Sequence, residues 1–294
     1  MPEDIKQCPL CHSEKSSLFD RRQFRGHQVV NCLCENCGLV YQSPRMTPAE
    51  LDEFYTREYR LVYQGAEGPT PRDLFVQNNR AASLLEFLAA QDIRPQRYLD
   101  IGASSGILLQ RFTERFGCTA VGIEPGEAYR AYAQEADFTV YADIADLRDA
   151  GEAAFDLVSM AHVLEHLPDP VAFLADLRGD VLTPSGVILI EVPNLYAHDS
   201  FEIAHMTSFS AHTLRQVLAQ AGYEIIFLKK HGRPRSKLLP LYLTVLARPA
   251  LSYELGVRGE RLVALKRRAG MLRRRVLTKL LPRRAWVPGI YPRE

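Results

Sequence analysis

The chain has 294 residues, 47% hydrophobic and 24% charged, with a formal net charge of +1. That composition supports a substantial core and excludes global disorder. Residues 257–294 carry 12 Lys/Arg against 2 Asp/Glu, a balance of +10, which leaves residues 1–256 at −9: an acidic body with a basic tail. No apolar run approaches the roughly 18 residues of a membrane span, and the polar start MPEDIKQCPL lacks a signal-peptide core. The expected compartment is the cytosol, where paired cysteines bind metal more often than they form disulfides.

Residues 1–45 hold short β-like stretches (QVVNCLC, GLVYQS) and two C-x-x-C pairs, Cys8 with Cys11 and Cys34 with Cys37. The pattern C-x2-C-x22-C-x2-C offers four soft ligands for a tetrahedral zinc. Four thiolates fill the coordination sphere, so the zinc is expected to be structural, and a segment this small is expected to need it to fold. Cys32 is a surplus thiol. Residues 46–72 read as a helical connector: Thr47-Pro48-Ala49-Glu50 is a helix start, giving a helix over 48–60. Tyr55, Tyr59 and Tyr63 lie on one face of it, either packed on the body or forming an aromatic lid, before a Gly/Pro-rich loop at 65–71.

From Asp73 strands and helices alternate. A helix with Leu74, Ala81, Leu84, Leu85 and Leu88 at helical spacing leads into a buried strand, Tyr98 to Ile101. Helix 106–116, strand 119–123, helix 127–135 and strand 138–141 follow, then strand 155–160, helix 170–178, strand 186–192 and helix 211–221. This predicts an α/β fold with a Rossmann-like, mostly parallel sheet. Two further β-rich runs, Tyr223–Lys229 and Leu241–Leu246, are separated only by a loop. A parallel pair needs a crossover, so the seventh and last strand is expected to be antiparallel. The segments predicted are a zinc-ribbon-like module (1–45), the connector (46–72), the core (73–250) and a basic tail (251–294).

The first strand runs into DIGASSG and then a helix, which aims backbone N–H groups and a helix N-terminus at a ligand. The glycines, Gly102 and Gly106, are spaced G-x-x-x-G rather than the G-x-G-x-x-G of a dinucleotide turn, which disfavours an NAD-dependent oxidoreductase. Glu124 ends the second strand, where a carboxylate can accept from both ribose hydroxyls. SMAHVLEHLPDP follows the fourth strand and EVPN closes the fifth.

In this order the elements of residues 73–247 resemble the class I S-adenosylmethionine-dependent methyltransferases. The resemblance implies that Asp100, Gly102, Ala103 and Gly106 hold the methionine part of S-adenosylmethionine. It further implies that Glu124 binds the ribose, Pro125 flanks the adenine, Asp143 meets the adenine edge, and Ala161 and His162 lie under the cofactor. His205 begins an H-x-x-x-F-[ST] stretch that faces the acceptor in similar enzymes, so His205 and, in the LEHL turn, His166 are the candidate general bases. Ala204 and Glu202 stand where sugar C-methylating relatives carry Glu and Tyr. A zinc module before such a core resembles sugar methyltransferases of bacterial polysaccharide and antibiotic pathways, which implies a sugar hydroxyl of a nucleotide-sugar or glycan as acceptor. RNA methyltransferases with zinc modules are the alternative enzyme, and a binding protein with a vestigial cofactor site the alternative of another class.

Residues 258–284 place Leu262, Leu265, Ala269, Leu272, Val276 and Leu280 at spacings of three and four, with Arg and Lys at most other positions. This predicts an amphipathic basic helix, weakened once by Gly270. Its expected partners are the enzyme's own acidic body or a second subunit, then an anionic membrane surface at the inner face, then nucleic acid.

Overall fold

The computed structural model describes residues 2–55, 65, 68–251 and 256–287. Tyr59 and Tyr63 of the expected aromatic face lie outside the described residues. The chain divides into two compact units. One comprises Met1–Pro48, His162–Arg178 and Ile190–Glu294, and the other Ala49–Ala161 and Gly179–Leu189. The cysteine module, the histidine-bearing loops and the basic tail fall in the first of these units.

In the cysteine module, β1 (Ser16–Phe24) and β2 (His27–Cys34) form an antiparallel hairpin. Arg25 and Gly26, both at positive φ (48° and 88°), close it, because two left-handed residues match the twist of the flanking strands. β3 (Val40–Gln42) pairs with β2, and β9 (Thr207–Ser208) pairs with β3, giving a four-stranded sheet in the order β1-β2-β3-β9. A two-residue strand lies below what sequence periodicity can signal. Helix α1 covers Pro48–Glu53.

The larger sheet is built from β4 (Arg97–Ile101), β5 (Thr119–Ile123), β6 (Thr139–Tyr141), β7 (Phe155–Ala161), β8 (Leu182–Pro193), β10 (Tyr223–His231) and β11 (Tyr242–Pro249). Its order is β10-β11-β8-β7-β4-β5-β6. β4 runs parallel to β5 and β7, and β5 parallel to β6, while β10 and β11 are an antiparallel pair, as their short connection required. The strands are apolar on both faces (Tyr98, Leu99, Leu157, Val158, Ile188 and Ile190 are all buried) because helices cover a parallel sheet on both sides.

The helices are α2 (Pro71–Ala89), α3 (Ile107–Phe116), α4 (Glu127–Glu135), α5 (Ile144–Asp149), α6 (Pro170–Asp176) and α7 (Ala211–Gln220). α2 starts at a capping box, with Thr70 accepting from the Asp73 N–H and Asp73 returning the bond. α6 stops two residues before the expected end and passes into a wide turn at Leu177–Val181. β8 is five residues longer than the strand expected at 186–192.

The tail helix α8 spans Val263–Leu280, and a single turn, α9 (Pro282–Ala285), follows. Residues 258–262, expected as helix, instead run along the second cysteine pair: the Glu260 N–H donates to the Cys37 carbonyl at 3.0 Å. α8 docks within its unit through a face the apolar pattern does not mark. Val263 joins Val40, Leu195 and Phe201, and Leu277 packs on the cluster of Leu239, Leu241, Tyr242, Ala285 and Trp286. Between them Arg267 is buried; its guanidinium donates to the carbonyls of Leu195 and His198, pairs with Asp199 at 3.1 Å and lies 4.4 Å over the Phe201 ring. Arg274 donates to the Ala197 carbonyl at 3.1 Å. A Cβ at Gly270 would overlap the Tyr196 carbonyl. The glycine that weakens the helix by propensity is thus the point of closest approach.

Candidate cofactor cradle, histidine cluster and cysteine site

The cradle forms where β4 gives way to α3. Gly102, Ser104 and Gly106 all hold positive φ (78°, 52° and 75°), so the chain reverses tightly and α3 starts directly after Gly106. Ala103 is buried against Gly122 of β5, where an added Cβ would stand 2.8 Å from the Ala103 methyl. Asp100, 2% exposed, accepts from the Ser159 hydroxyl at 2.5 Å, and that hydroxyl also meets the Tyr98 hydroxyl at 2.7 Å. Burial, with the Glu124 charge adding to it, pushes the Asp100 carboxyl up to about 7 against the pull of those two hydroxyls. Asp100 therefore does not cap α3; it is a buried, readily protonated carboxyl at the end of the first strand of the large sheet.

Glu124 follows β5 and is 3% exposed. One carboxylate oxygen accepts from the Ser104 N–H at 2.8 Å and the other from the Gly126 N–H at 3.0 Å. Gln77 of α2, not anticipated from sequence, bonds both the Ser104 and Ser105 hydroxyls, at 3.2 and 2.6 Å. Pro125 is exposed beside Glu124, and Ala161 ends β7 half-buried. Asp143 is exposed and caps α5, accepting from the N–H groups of Ala145 and Asp146 at 2.8 and 2.9 Å. Two buried carboxylates at adjacent strand ends, with a left-handed turn between them, fit a nucleoside that carries a cationic amino-acid group.

In the other unit, His162 sits at φ 61°, a strained setting for a non-glycine residue. Its backbone N–H donates to the Glu191 carbonyl at 2.8 Å. Its ring stands between two buried carboxylates: Nδ1 is 3.2 Å from Glu165 and Nε2 3.4 Å from Glu191. Glu191 in turn accepts from the Thr244 hydroxyl at 3.0 Å and lies 3.4 Å from His231. His166 and His205 stack edge to face at 4.7 Å. Each turns Nδ1 to a backbone carbonyl, His166 to Ala204 at 2.9 Å and His205 to Ser200 at 2.7 Å. A carbonyl can only accept, so both Nδ1 atoms carry the proton. Burial, and then the neighbouring His205, push the His166 imidazole down to about 3. Glu165 is held below the ordinary carboxylate range: burial alone would raise it, and the adjacent histidines, His162 first, outweigh that. The sequence marked His162, His166 and His205 but not Glu191, His231 or Thr244, which arrive from three distant strands.

Two groups of side chains have ligand-like spacing among the described residues. Glu165, His166 and His205 present three ligand atoms within 4.8 Å of one another. Cys8, Cys11, Cys34 and Cys37 present four sulfurs within the same limit. The Cys8–Cys37 and Cys11–Cys34 sulfur separations are both 3.5 Å, far too long for disulfides and close to the edge of roughly 3.8 Å that a tetrahedron with Zn–S bonds near 2.3 Å requires. The two pairs share one backbone form: His12 N–H donates to the Cys8 carbonyl and Gly38 N–H to the Cys34 carbonyl, both from left-handed residues. Cys32 is outside this group, its thiol directed to the Ser43 carbonyl at 3.9 Å.

The family described as "Methyltransferase domain" matches residues 73–228. The chain is 29% identical over 119 residues to the ubiquinone biosynthesis O-methyltransferase of Neisseria meningitidis serogroup C, covering 36% of this chain and 50% of that protein. It is 34% identical over 99 residues to the enzyme of the same name from Hahella chejuensis, covering 31% and 41%. The chain thus spans about half the length, or less, of these curated relatives. Its fold is similar to that of Burkholderia thailandensis 1,6-didemethyltoxoflavin-N1-methyltransferase, solved with 1,6-didemethyltoxoflavin and S-adenosylhomocysteine bound. There the TM-score is 0.54 and the identity 19%, over 79% of this chain and 99% of that one. A plantazolicin methyltransferase in complex with S-adenosylhomocysteine is similar at a TM-score of 0.50 and 11% identity, over 68% and 94%.

Proposed function

The chain belongs to the methyltransferase-domain family, and on that footing we propose that it transfers the methyl group of S-adenosylmethionine to a hydroxyl of a small-molecule or glycan acceptor, with His205 as general base. The observation that carries the reading is the pair of buried carboxylates, Asp100 and Glu124, joined through the glycine turn. In this reading Asp100, Gly102, Ala103 and Gly106 hold the amino-acid part of the cofactor, and Glu124 takes the ribose hydroxyls. Pro125 and Asp143 border the adenine, and Ala161 and His162 form a wall. When bound, S-adenosylmethionine supplies an electrophilic methyl on a cationic sulfur.

A hydroxyl acceptor must lose a proton. With Nδ1–H committed to Ser200, His205 presents the lone pair of Nε2 for that proton. His166, pushed down to about 3, is too weak a base at neutral pH, and its role is to pack against and orient His205. The acceptor we favour is a sugar hydroxyl on a nucleotide-sugar or glycan intermediate. A second reading, an intermediate of ubiquinone biosynthesis, is favoured by the names of the curated relatives. The four cysteines are read as a structural zinc site, and the enzyme as a cytoplasmic one.

The test is calorimetric titration with S-adenosylmethionine followed by an acceptor screen that reads S-adenosylhomocysteine release. We expect micromolar cofactor binding and turnover with a hydroxyl acceptor. His205→Ala should keep the cofactor affinity and lose at least a hundredfold in kcat, within the range of general-base effects. Absence of cofactor binding would overturn the reading, and a fully active variant would remove His205 from it.

A further inference from the structure

We propose that the outward face of α8 is a docking surface for a bilayer that contains anionic phospholipid. At 100° per residue, the docked residues Val263, Arg267, Gly270, Arg274 and Leu277 mark one side of the helix. Leu265, Ala269, Leu272, Val276 and Leu280 fall on the opposite side. Leu265 is 59% exposed, Leu272 61%, Val276 44% and Leu280 70%. Helices of water-soluble proteins turn such a stripe inward. Here the inward positions are taken by two arginines and a glycine that fit carbonyls, and the apolar stripe is left in water.

The charges beside that stripe identify its occupant. Arg268, Arg275 and Lys279 border it on one flank and Arg273 on the other, all exposed. The sequence has no Asp or Glu between residues 261 and 287. At the C-terminal end of the helix, Lys237, Arg283 and Arg284, with Leu238, Trp286 and Val287, line a cavity of about 360 Å³. A second copy packing the same α8 stripe against this one would set arginine against arginine with no carboxylate of either helix to pair. A nucleic acid would satisfy the cations and leave four large apolar side chains against phosphate. An anionic bilayer satisfies both: the leucines enter the acyl boundary while the arginines reach the phosphates. The helix, roughly 27 Å long, would lie in the plane of the surface. One such helix gives reversible binding that needs both its apolar and its charged parts.

The experiment is co-sedimentation of the full chain with vesicles of 30:70 phosphatidylglycerol:phosphatidylcholine and of phosphatidylcholine alone, in physiological salt. We expect at least tenfold stronger partitioning to the anionic vesicles. Two variants should each lose at least tenfold: Leu265→Gln/Leu272→Gln/Leu280→Gln, and Arg268→Gln/Arg273→Gln/Arg275→Gln. All six positions face solvent, so cofactor affinity and melting temperature should stay as in the parent protein. Failure of the parent to bind anionic vesicles overturns the proposal, and so does a leucine variant that binds like the parent, which would be adsorption by charge alone. Light scattering and an RNA-binding assay run alongside. A dimer abolished by the leucine variant, or RNA binding without vesicle binding, would assign the face to those occupants instead.

Discussion

The Glu124 carboxylate accepts from the backbone N–H of Ser104 at 2.8 Å, so the group proposed to hold the ribose also fixes the glycine turn. Its second oxygen, on Gly126, ties the same carboxylate to the start of α4. Glu124→Ala removes a charged acceptor from two donors, each bond worth about 1.5–3 kcal/mol. Cofactor affinity should fall by roughly 10- to 100-fold, measured by calorimetry. Ser104→Gly keeps the N–H and suits φ 52°, so it should bind within about threefold of the parent.

Asp100 gives a pH signature. Its folded pKa of about 7 stands above the ordinary 3.8, so between those values the folded state holds a proton that the unfolded chain has released. Stability of the cofactor-free protein should therefore decline as pH rises through that window. A cationic cofactor favours the ionised form, so the thermal shift it induces should grow from pH 5.5 to 8. Asp100→Asn should flatten both trends in a melting series. An unchanged slope would separate Asp100 from the cofactor.

The cysteine site predicts about one zinc per chain by elemental analysis, with chelation unfolding the N-terminal sheet. Cys11→Ser should lower zinc content and the melting temperature together, whereas Cys32→Ser, outside the group, should change neither. A metal-free protein with an intact melting transition would refute the assignment.

Gly270→Ala sets propensity against packing. Alanine gains about 1 kcal/mol in a helix interior, but its Cβ would overlap the Tyr196 carbonyl, and overpacking costs about 1–3 kcal/mol. The net effect should be a lower melting temperature. A rise would mean that α8 rests less closely on its unit than the structure shows.

The larger sheet, its turn and its antiparallel end were legible in the sequence because buried strands and helices alternate with the right periods and Gly102 and Gly106 punctuate them. The places of Asp100 and Glu124 at strand ends were legible for the same reason. What escaped notice depends on contacts distant in sequence. Ser159, which sets the environment of Asp100, is one polar residue in an apolar strand. Glu191 meets His162 and His231 only after folding. The docking face of α8 escaped because hydrophobic periodicity points to leucines, and this interface uses Arg267, Gly270 and Arg274 against carbonyls.

The short strand β9 joins the N-terminal module to the segment that carries His205. Tyr41 and Val40 of β3 pair with Thr207 and Ser208, the Gln42 N–H donates to the Met206 carbonyl at 2.8 Å, and its side chain reaches the Glu202 carbonyl at 3.2 Å. His205 lies inside the stretch so gripped. The N-terminal module is consequently no detachable cassette. A truncated enzyme begun at residue 49 would lose the strand that pairs with the residues flanking its proposed base along with the cysteines, and any exchange of modules between such enzymes would have to carry both halves of that seam.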